Sequence, residues 1–339
     1  MIRPVTFADL WTLRRKPRSS VTLYNETMLA LPHRPFWFAM RCTIEGAGRD
    51  GATFVFRERG MQAVVQAVGR YGRPELDIVQ LLAYGNATSP TDPDAWFRLL
   101  EVLCVHAGQH RVQRLYGALS ERHEELREVF RQLGFSSFGY QTVMRLDGPD
   151  WDQGTSIAPM RPQSRRDVWA IHKLYGAVRP KSAQHAEARA PRDWMLPLAR
   201  GWSRPARRAW VLGPHDDLTA YLHLTSGPAG HILRLLVRPE ARDATTDILR
   251  FGLGHISDSL PVYLLLREYQ QELMLPAGDL GFQPIGEQAL LYKQTTVAVR
   301  RSMLVPALEP RPEPHTPIPT ISSMREDVRP YARATRYHE

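Results

Sequence analysis

Arginine and tryptophan side chains are interleaved along one stretch of the chain. Three tryptophans recur every eight residues with six arginines around them: Trp194, Trp202 and Trp210, with Arg189, Arg192, Arg200, Arg204, Arg207 and Arg208. Guanidinium groups bind phosphates, and indole rings stack on bases or on other rings. The stretch therefore predicts a surface for an anionic or aromatic ligand. The alternative is a helix whose apolar side chains face the core and whose arginines face solvent.

Metal-ligating residue types are sparse. His106 and His110 are four residues apart at a predicted helix end and could hold a metal ion from one face. Neither a third histidine nor a carboxylate joins them at ligand spacing, and Gly108 weakens the helix, so we expect no metal site. Two cysteines, Cys42 and Cys104, are too few for a cluster or a disulfide framework, and reduced thiols are the simpler interpretation.

Composition bounds the class of protein. The chain has 339 residues, of which 43% are hydrophobic and 23% charged, with a net charge of +9. These values exclude a chain disordered throughout, a fibrous repeat and a disulfide scaffold, and the length suggests two domains. Basic residues at 14–16 follow a short mixed stretch, the reverse of a secretory signal, and the longest apolar run, 260–266, is too short for a bilayer. We expect a soluble, cytoplasmic protein with no membrane partner.

The body of the chain reads as a duplication. The series Leu133-Gly134-Phe135, Gly139 and Gln141 recurs 147 residues later at positions 280–282, 286 and 288. The two starts also correspond, Ile2-Arg3-Pro4 to 157–159 and 9–11 to 167–169. A repeat of this length predicts two domains, 1–148 and 157–298, joined by a linker at 149–156. Residues 302–339 are rich in proline and predict a disordered tail, either solvated or used as a partner-binding peptide.

Both halves show the same order of predicted elements. A strand and two helices precede three antiparallel strands, a helix, a strand, a helix and a last strand. In the first half the strands are 53–58, 61–68, 76–83, 112–118 and 140–146, and in the second they are 210–213, 218–225, 232–237, 261–266 and 288–293. This order predicts an α/β fold, a mixed sheet flanked by helices in each half.

The order, with Leu-Gly-Phe closing the last helix, resembles the GNAT N-acetyltransferase superfamily in a tandem two-domain form. The most specific match is Val237-Arg238-Pro239-Glu240-Ala241-Arg242, which is similar to the family's strand exit into the acetyl-CoA pyrophosphate loop. The resemblance implies that an amine attacks the acetyl-CoA thioester. It also implies that the central strand binds pantetheine and that the next loop and helix N-terminus hold the pyrophosphate.

Carried over to this sequence, the resemblance places pantetheine on Leu235, Leu236 and Val237, and pyrophosphate on Arg242, Ala244, Thr245 and Thr246. The loop departs from the family pattern because Thr245 and Asp247 replace its glycines, and a carboxylate repels a diphosphate. Alternatively, Asp243 and Asp247 serve as the N-cap and a first-turn carboxylate of an ordinary helix. The corresponding first-half loop, 85–94, has no basic residue and no paired glycines.

The family's catalytic residues match poorly. Its proton-donating tyrosine corresponds to Phe130 and Ala277, so Tyr269 is a candidate only in a shifted role. Asp77 and His231 stand at the starts of the two central strands and are candidates for a general base, or ordinary strand-end polar residues. Trp194, Trp202 and Arg204 lie where the family builds its acceptor side.

Two functions stay open, with a third beside them. The first is an acyltransferase that uses acetyl-CoA or another acyl-CoA and acts on an amine of a small molecule or peptide. The second is a catalytically degenerate GNAT-fold binding or scaffold protein, which could act as a homodimer. The third is weak binding of polyanions or nucleic acid, which the net charge favours.

Overall fold

The computed structural model describes residues 1–58, 60–85, 93–148, 158–196 and 205–295. Within these ranges the strands form one mixed sheet of 13 strands, in the order β1-β3-β4-β5-β6-β13-β7-β12-β11-β10-β9-β8, with β2 paired to β5. The predicted α/β class is confirmed. The predicted linker, the predicted tail, Trp202 and Arg204 lie outside the described residues.

The elements follow the predicted order, with a short strand β2 in addition. The first half contains β1 Ile2–Pro4, α1 Phe7–Leu13, β2 Ser19–Thr22, α2 Pro35–Glu45, β3 Gly51–Glu58, β4 Met61–Gly69, β5 Glu75–Gly85, α3 Pro93–Gln109, β6 Arg114–Ser120, α4 Glu124–Gln132 and β7 Ser136–Leu146. The second contains β8 Arg161–Pro162, α5 Val168–Val178, α6 Lys181–Glu187, β9 Ala206–Leu212, β10 Ala220–Gly227, β11 Gly230–Val237, α7 Thr245–Leu253, β12 Val262–Arg267, α8 Met274–Asp279 and β13 Gln283–Gln294.

Each half begins with the same ion pair. The Arg3 guanidinium donates to both carboxylate oxygens of Asp9, at 2.6 and 3.0 Å. Arg161 does the same to Asp167, at 2.8 and 2.7 Å. The repeat at the chain starts is therefore displaced from the predicted one, because Arg3-Pro4 corresponds to Arg161-Pro162 and not to residues 158–159. Each aspartate also accepts a hydrogen bond from the backbone N–H at the start of its helical segment, Thr6 in one half and Ser164 in the other. One carboxylate therefore links the first strand to the helix that follows it.

Alternating apolar side chains give each half a core on both faces of the sheet. In the first half, α3 and α4 cover one face around Leu99 and Phe130, and α1 and α2 cover the other around Leu10 and Phe38. In the second half, α7 and α8 cover one face and α5 the other. No helix of the described ranges has the length and apolar character needed to span a membrane.

The two halves exchange their last strands. β13, from the second half, lies between β6 and β7, while β7, from the first half, pairs with β12. The strand register is the same at both exchanged pairs. Ser120 on β6 faces Gln288 on β13, and the residues 147 positions away, Arg267 on β12 and Gln141 on β7, also face each other. Gln141 faces Gln288, its own repeat partner, and donates from Nε2 to Oε1 of Gln288 at 2.7 Å. A pseudo-twofold axis therefore passes between these two buried amides.

The Arg–Trp stretch does not form the predicted helix in its described parts. Pro191–Trp194 is a single 3₁₀ turn, and β9 begins at Ala206. Trp194 is buried in the core beneath α5, whereas Trp210 is buried in the core beneath α7 with Phe251. Trp194 and Trp210 thus belong to different cores on opposite faces of the sheet, so these two rings do not share a binding surface.

We expect the two buried glutamines on the axis to be energetically coupled. Gln288→Leu leaves the Gln141 amide without its partner, which costs about 1–3 kcal/mol of unfolding free energy. The double variant Gln141→Leu/Gln288→Leu should recover part of that loss, because no buried amide is left unpaired. Urea unfolding of the wild type, both single variants and the double variant measures the coupling. Strictly additive losses would contradict it.

Candidate functional site

In the first half, the chain's own β2 fills the place where the central strand parts from its neighbour. β5 pairs with β6 only from Glu75 to Asp77. Beyond that point Ser19–Thr22 pairs with β5 from Gln80 to Ala83, and the Leu23 N–H donates to the Val79 carbonyl at 2.9 Å. The backbone groups that would meet pantetheine in the family's arrangement are thus used by β2.

In the second half, no strand of the described ranges lies in the equivalent separation. β11 pairs with β12 only from His231 to Leu233, and the two strands part from Arg234 onward. The one described contact in the gap comes from Gln270, which is buried and donates from Nε2 to the Leu235 carbonyl at 2.8 Å. Leu235, Leu236 and Val237 therefore lie along the open side as predicted, with one carbonyl already bonded to a side chain of this chain.

The loop after β11 is a 3₁₀ turn, Pro239–Ala244, that leads directly into α7. Arg242 is half-exposed and its Nη2 lies 3.0 Å from Oε1 of Glu272. Thr245 is fully buried and its hydroxyl has no hydrogen-bond partner. Asp247 stands in the first turn of α7 as the ordinary-helix interpretation expects, but Asp243 is not the N-cap, since that position is Ala244.

The two candidate bases are both engaged, and they are not equivalent. His231 is buried, with Nε2 2.8 Å from Oδ1 of Asp258 and Nδ1 2.9 Å from the Ser226 hydroxyl. Asp77 faces Tyr116 across β5 and β6, whereas the residue facing Tyr263 in the second half is Ile232. His231 thus corresponds to the position before Asp77 and points to the opposite face of the sheet, because side chains alternate along a strand.

Asp77 belongs to an ion pair. Arg70 donates to its Oδ1 from Nε at 3.0 Å and from Nη2 at 2.7 Å, and the Asn25 amide donates to its Oδ2 at 3.3 Å. The Arg70 guanidinium also lies over the Tyr116 ring, 3.6 Å from its centre. A carboxylate held this way is a weak proton acceptor, so the prediction of Asp77 as a base receives no support from its geometry.

Tyr269 is the candidate whose surroundings suit a proton donor. Its hydroxyl is buried without a hydrogen-bond partner, and burial raises the pKa of the phenol. The hydroxyl therefore stays protonated at neutral pH. Its neighbour Gln270 occupies the gap beside β11. Tyr116, on β6, donates its hydroxyl to the Ala186 carbonyl at 2.8 Å.

A network of buried charges joins the two halves beside these residues. Glu26, from the first half, lies 2.8 Å from Arg234 and 3.4 Å from both Arg189 and Arg267, all from the second half. Glu187 contacts Arg179, Arg189 and Arg267 and accepts from the Tyr175 hydroxyl at 3.1 Å. Sequence reasoning missed Glu26, Glu187 and Gln270, because each stands in a loop or helix end that no motif marks.

The remaining predicted contacts are structural. Trp194 donates from its indole N–H to Nδ1 of His172 at 3.3 Å and is packed against Tyr175 and Tyr221, so it is not an open acceptor-side ring. His106 and His110 stack with ring centres 3.9 Å apart. Among the described residues no three metal-ligating side chains come together, and both cysteines are free thiols.

We expect Glu187→Gln to destabilise the protein in a pH-dependent way. Burial raises the pKa of Glu187, but Arg179, Arg189 and Arg267 outweigh it and hold the pKa at about 2. The stabilisation from this carboxylate is therefore complete above about pH 4.5 and is lost as the pH falls toward 2. Removing it should cost about 3–5 kcal/mol at pH 7.

Urea unfolding at pH 7 and at pH 3 measures the effect, and the difference between variant and wild type should shrink at the lower pH. Glu124→Gln, on the exposed side of α4, is the matched control and should unfold like the wild type at both values. An equal loss at both pH values would show that Glu187 acts through packing and not through its charge.

Comparison with known proteins gives weak likenesses. No protein-family model and no curated protein matches the chain. A tandem GNAT protein from the clavulanic acid biosynthesis pathway is 15% identical, with a TM-score of 0.47 over 87% of this chain and 98% of that one. A GCN5-related N-acetyltransferase from Sphaerobacter thermophilus is 13% identical, with a TM-score of 0.48 over 87% and 95%. A conserved protein of unknown function from Staphylococcus epidermidis is 13% identical, with a TM-score of 0.45 over 75% and 98%.

The fold follows from the chain's own topology. In each half three antiparallel strands lead into a helix, a strand parallel to the third, a second helix and a final antiparallel strand. This is the order that the resemblance implies, and both halves show the same separation between the third strand and its parallel neighbour. The predicted mixed α/β fold and its repeated order of elements are therefore confirmed, with both halves built into one sheet.

Proposed function

We propose that the protein is a GNAT-type acyltransferase whose acyl-CoA site lies in the second half, with the first half in a structural role. The observation that carries the proposal is the difference between the two clefts. β2 fills the gap beside β5, whereas among the described residues only the Gln270 side chain bonds to β11 in its gap. A ligand that displaces Gln270 from the Leu235 carbonyl breaks one hydrogen bond. A ligand that displaces β2 from β5 would break a whole ladder of backbone hydrogen bonds.

The donor set in the second half fits an acyl-CoA. The backbone from Leu235 to Val237 would hold the pantetheine amides after Gln270 gives up the Leu235 carbonyl. Thr245 brings a buried hydroxyl without a partner to the start of α7, where a helix N-terminus favours an anion. Arg242, which now pairs with Glu272, would turn to the pyrophosphate. Acetyl-CoA or another acyl-CoA would supply the activated thioester.

Tyr269 would give the proton that the leaving thiolate needs. Its hydroxyl is protonated and unpartnered, and it adjoins the residue that bonds β11. The acceptor would be an amine on a small molecule or peptide, deprotonated by water, because Asp77 and His231 are both engaged elsewhere.

A second candidate is a GNAT-fold protein that binds partners without catalysis. Three observations favour it: the filled first cleft, the bonded Leu235 carbonyl and the carboxylates Asp243 and Asp247 at the start of α7. The second candidate predicts that no acyl-CoA binds at millimolar concentration, so one measurement separates the two.

Acetyl-CoA binding to the full chain, measured by calorimetry, tests the proposed site. We expect binding by the wild type and at least about tenfold weaker binding by Arg242→Glu, since the substitution places a negative charge beside the diphosphate. Arg250→Glu is the matched control, because Arg250 is as exposed as Arg242 (53% against 47%) but lies in the last turn of α7. Equal loss in both variants would point to general charge repulsion, and no binding by the wild type would overturn the proposal.

The proton-donor role of Tyr269 has a separate test. Tyr269→Phe should lower the rate of thiol release from acetyl-CoA, with water as acceptor, by about 100-fold and leave acetyl-CoA affinity unchanged. Tyr263→Phe, on β12, is the control and should keep the wild-type rate. Unchanged thiol release in Tyr269→Phe would remove this residue from the mechanism while leaving the binding site in place.

A further inference from the structure

We propose that the cavity at the junction of the two halves binds the carboxylate group of a small acidic molecule. The cavity has a volume of about 30 Å³ and lies where β5 and β6 meet the loop around Glu26 and the end of α6. Its charged lining consists of Arg70, Arg189 and Arg267 with Glu26, Asp77 and Glu187, and Gln141 lies beside them. The site is separate from the cleft beside β11 and does not depend on acyl transfer.

Three arginines and three carboxylates line the cavity itself, and the ion-pair network that extends from this lining carries more positive than negative charge. Five guanidinium groups face three carboxylates in the network: Arg70, Arg179, Arg189, Arg234 and Arg267 against Glu26, Asp77 and Glu187. The adjoining group of Arg73, Arg114, Glu75 and Asp193 is balanced, so the surplus of two persists. Uncompensated charge is costly in a protein interior, and an anionic ligand would offset that cost.

Arg267 has hydrogen-bonding capacity to spare at the cavity. The residue is nine-tenths buried and lines the cavity, and its Nη1 has no hydrogen-bond partner among the described residues. Its Nη2 lies 3.4 Å from Oε1 of both Glu26 and Glu187, so the guanidinium is shared loosely between two carboxylates. A planar guanidinium matches the two oxygens of a carboxylate, which makes Arg267 the residue that would receive the ligand.

The electrostatics of Arg234 agree with a surplus of cations. Burial lowers the pKa of Arg234 to about 10, and the opposing effect of Glu26 does not restore it because Arg189 and Arg267 lie close by. Arg234 Nε is also buried without a partner. The charged form of Arg234 is therefore less stabilised than that of a fully paired arginine, and an added carboxylate would stabilise it.

The size of the cavity selects the ligand. A volume of about 30 Å³ is enough for roughly two water molecules, which is also the room that a carboxylate group needs. Tyr24 and Glu26, at the edge of the cavity, are partly exposed, so a small molecule can reach it from that side. Ala118 points into the cavity from β6 and offers a position for blocking it without changing any charge.

Malonate is the probe, because it carries a carboxylate on a short stem. Its two negative charges equal the two surplus positive charges of the network. We expect malonate to raise the melting temperature of the full chain above that in chloride at the same ionic strength and pH 7. Calorimetry should show saturable binding. Arg267→Met, which keeps the apolar stem, and Ala118→Leu, which fills the cavity, should each weaken binding by about tenfold or more. Arg131→Met, on the exposed side of α4, is the control and should bind as the wild type does.

Two results would overturn the proposal. One is equal melting temperatures in malonate and chloride with no heat of binding. The other is malonate binding that persists in Ala118→Leu, which would place the ligand elsewhere on the surface. Arg267→Met removes a partner of two buried carboxylates and could fail to fold, in which case Ala118→Leu decides alone. Acetyl-CoA titrated in parallel keeps this outcome separate from that of the cleft beside β11.

Discussion

The exchange of the last strands is the constraint on which the rest of the structure depends. β13 lies between β6 and β7, so neither half can complete its sheet without a strand from the other. Because backbone ladders bury N–H and C=O groups that must stay paired, separating the halves would leave strand edges open along the whole junction. Gln141 and Gln288 are equivalent positions of the sequence repeat and face each other where β7 pairs with β13. The strand exchange therefore follows the symmetry of the duplication.

The exchange also decides where the charges lie. It brings the Glu26 loop of the first half over β11, where the Ala229 N–H donates to the Ala30 carbonyl at 3.1 Å. It also brings the end of α6 over β6, where the Tyr116 hydroxyl donates to the Ala186 carbonyl at 2.8 Å, and Arg73, in the turn before β5, donates to the Glu187 carbonyl at 2.6 Å. Each half therefore supplies the buried carboxylates and arginines that the other needs. The residues at this junction stabilise the contact between the halves, and the ion pair of Asp77 with Arg70 lines the cavity at that contact.

The two halves have diverged along physically different lines. In the first, β2 has taken the backbone groups beside β5, which turns a potential ligand cleft into ordinary sheet. In the second, the corresponding gap is held by one amide, Gln270, and the helix after the loop starts at a buried, unpaired hydroxyl, Thr245. A fold that needs both halves for stability can keep one of them without a ligand, since its contribution to the shared sheet does not require an open cleft.

The sequence by itself determined the duplication, the order of elements and most strand positions, because alternating apolar residues and turn residues act locally. It also indicated the departures in the loop at Arg242–Asp247. It aligned the chain start with residues 157–159 and not with Arg161-Pro162, although the pair of Arg161 with Asp167 spans only six residues. The helix that was the alternative for the Arg–Trp stretch is not formed in the described parts, since the burial of Trp194 depends on distant partners. Only the tertiary structure decided the strand exchange, the filling of the first cleft by β2 and the junction of Glu26 with Arg234 and Arg267. Backbone pairing is independent of side-chain identity, and ion pairs between residues more than 200 positions apart leave no local pattern.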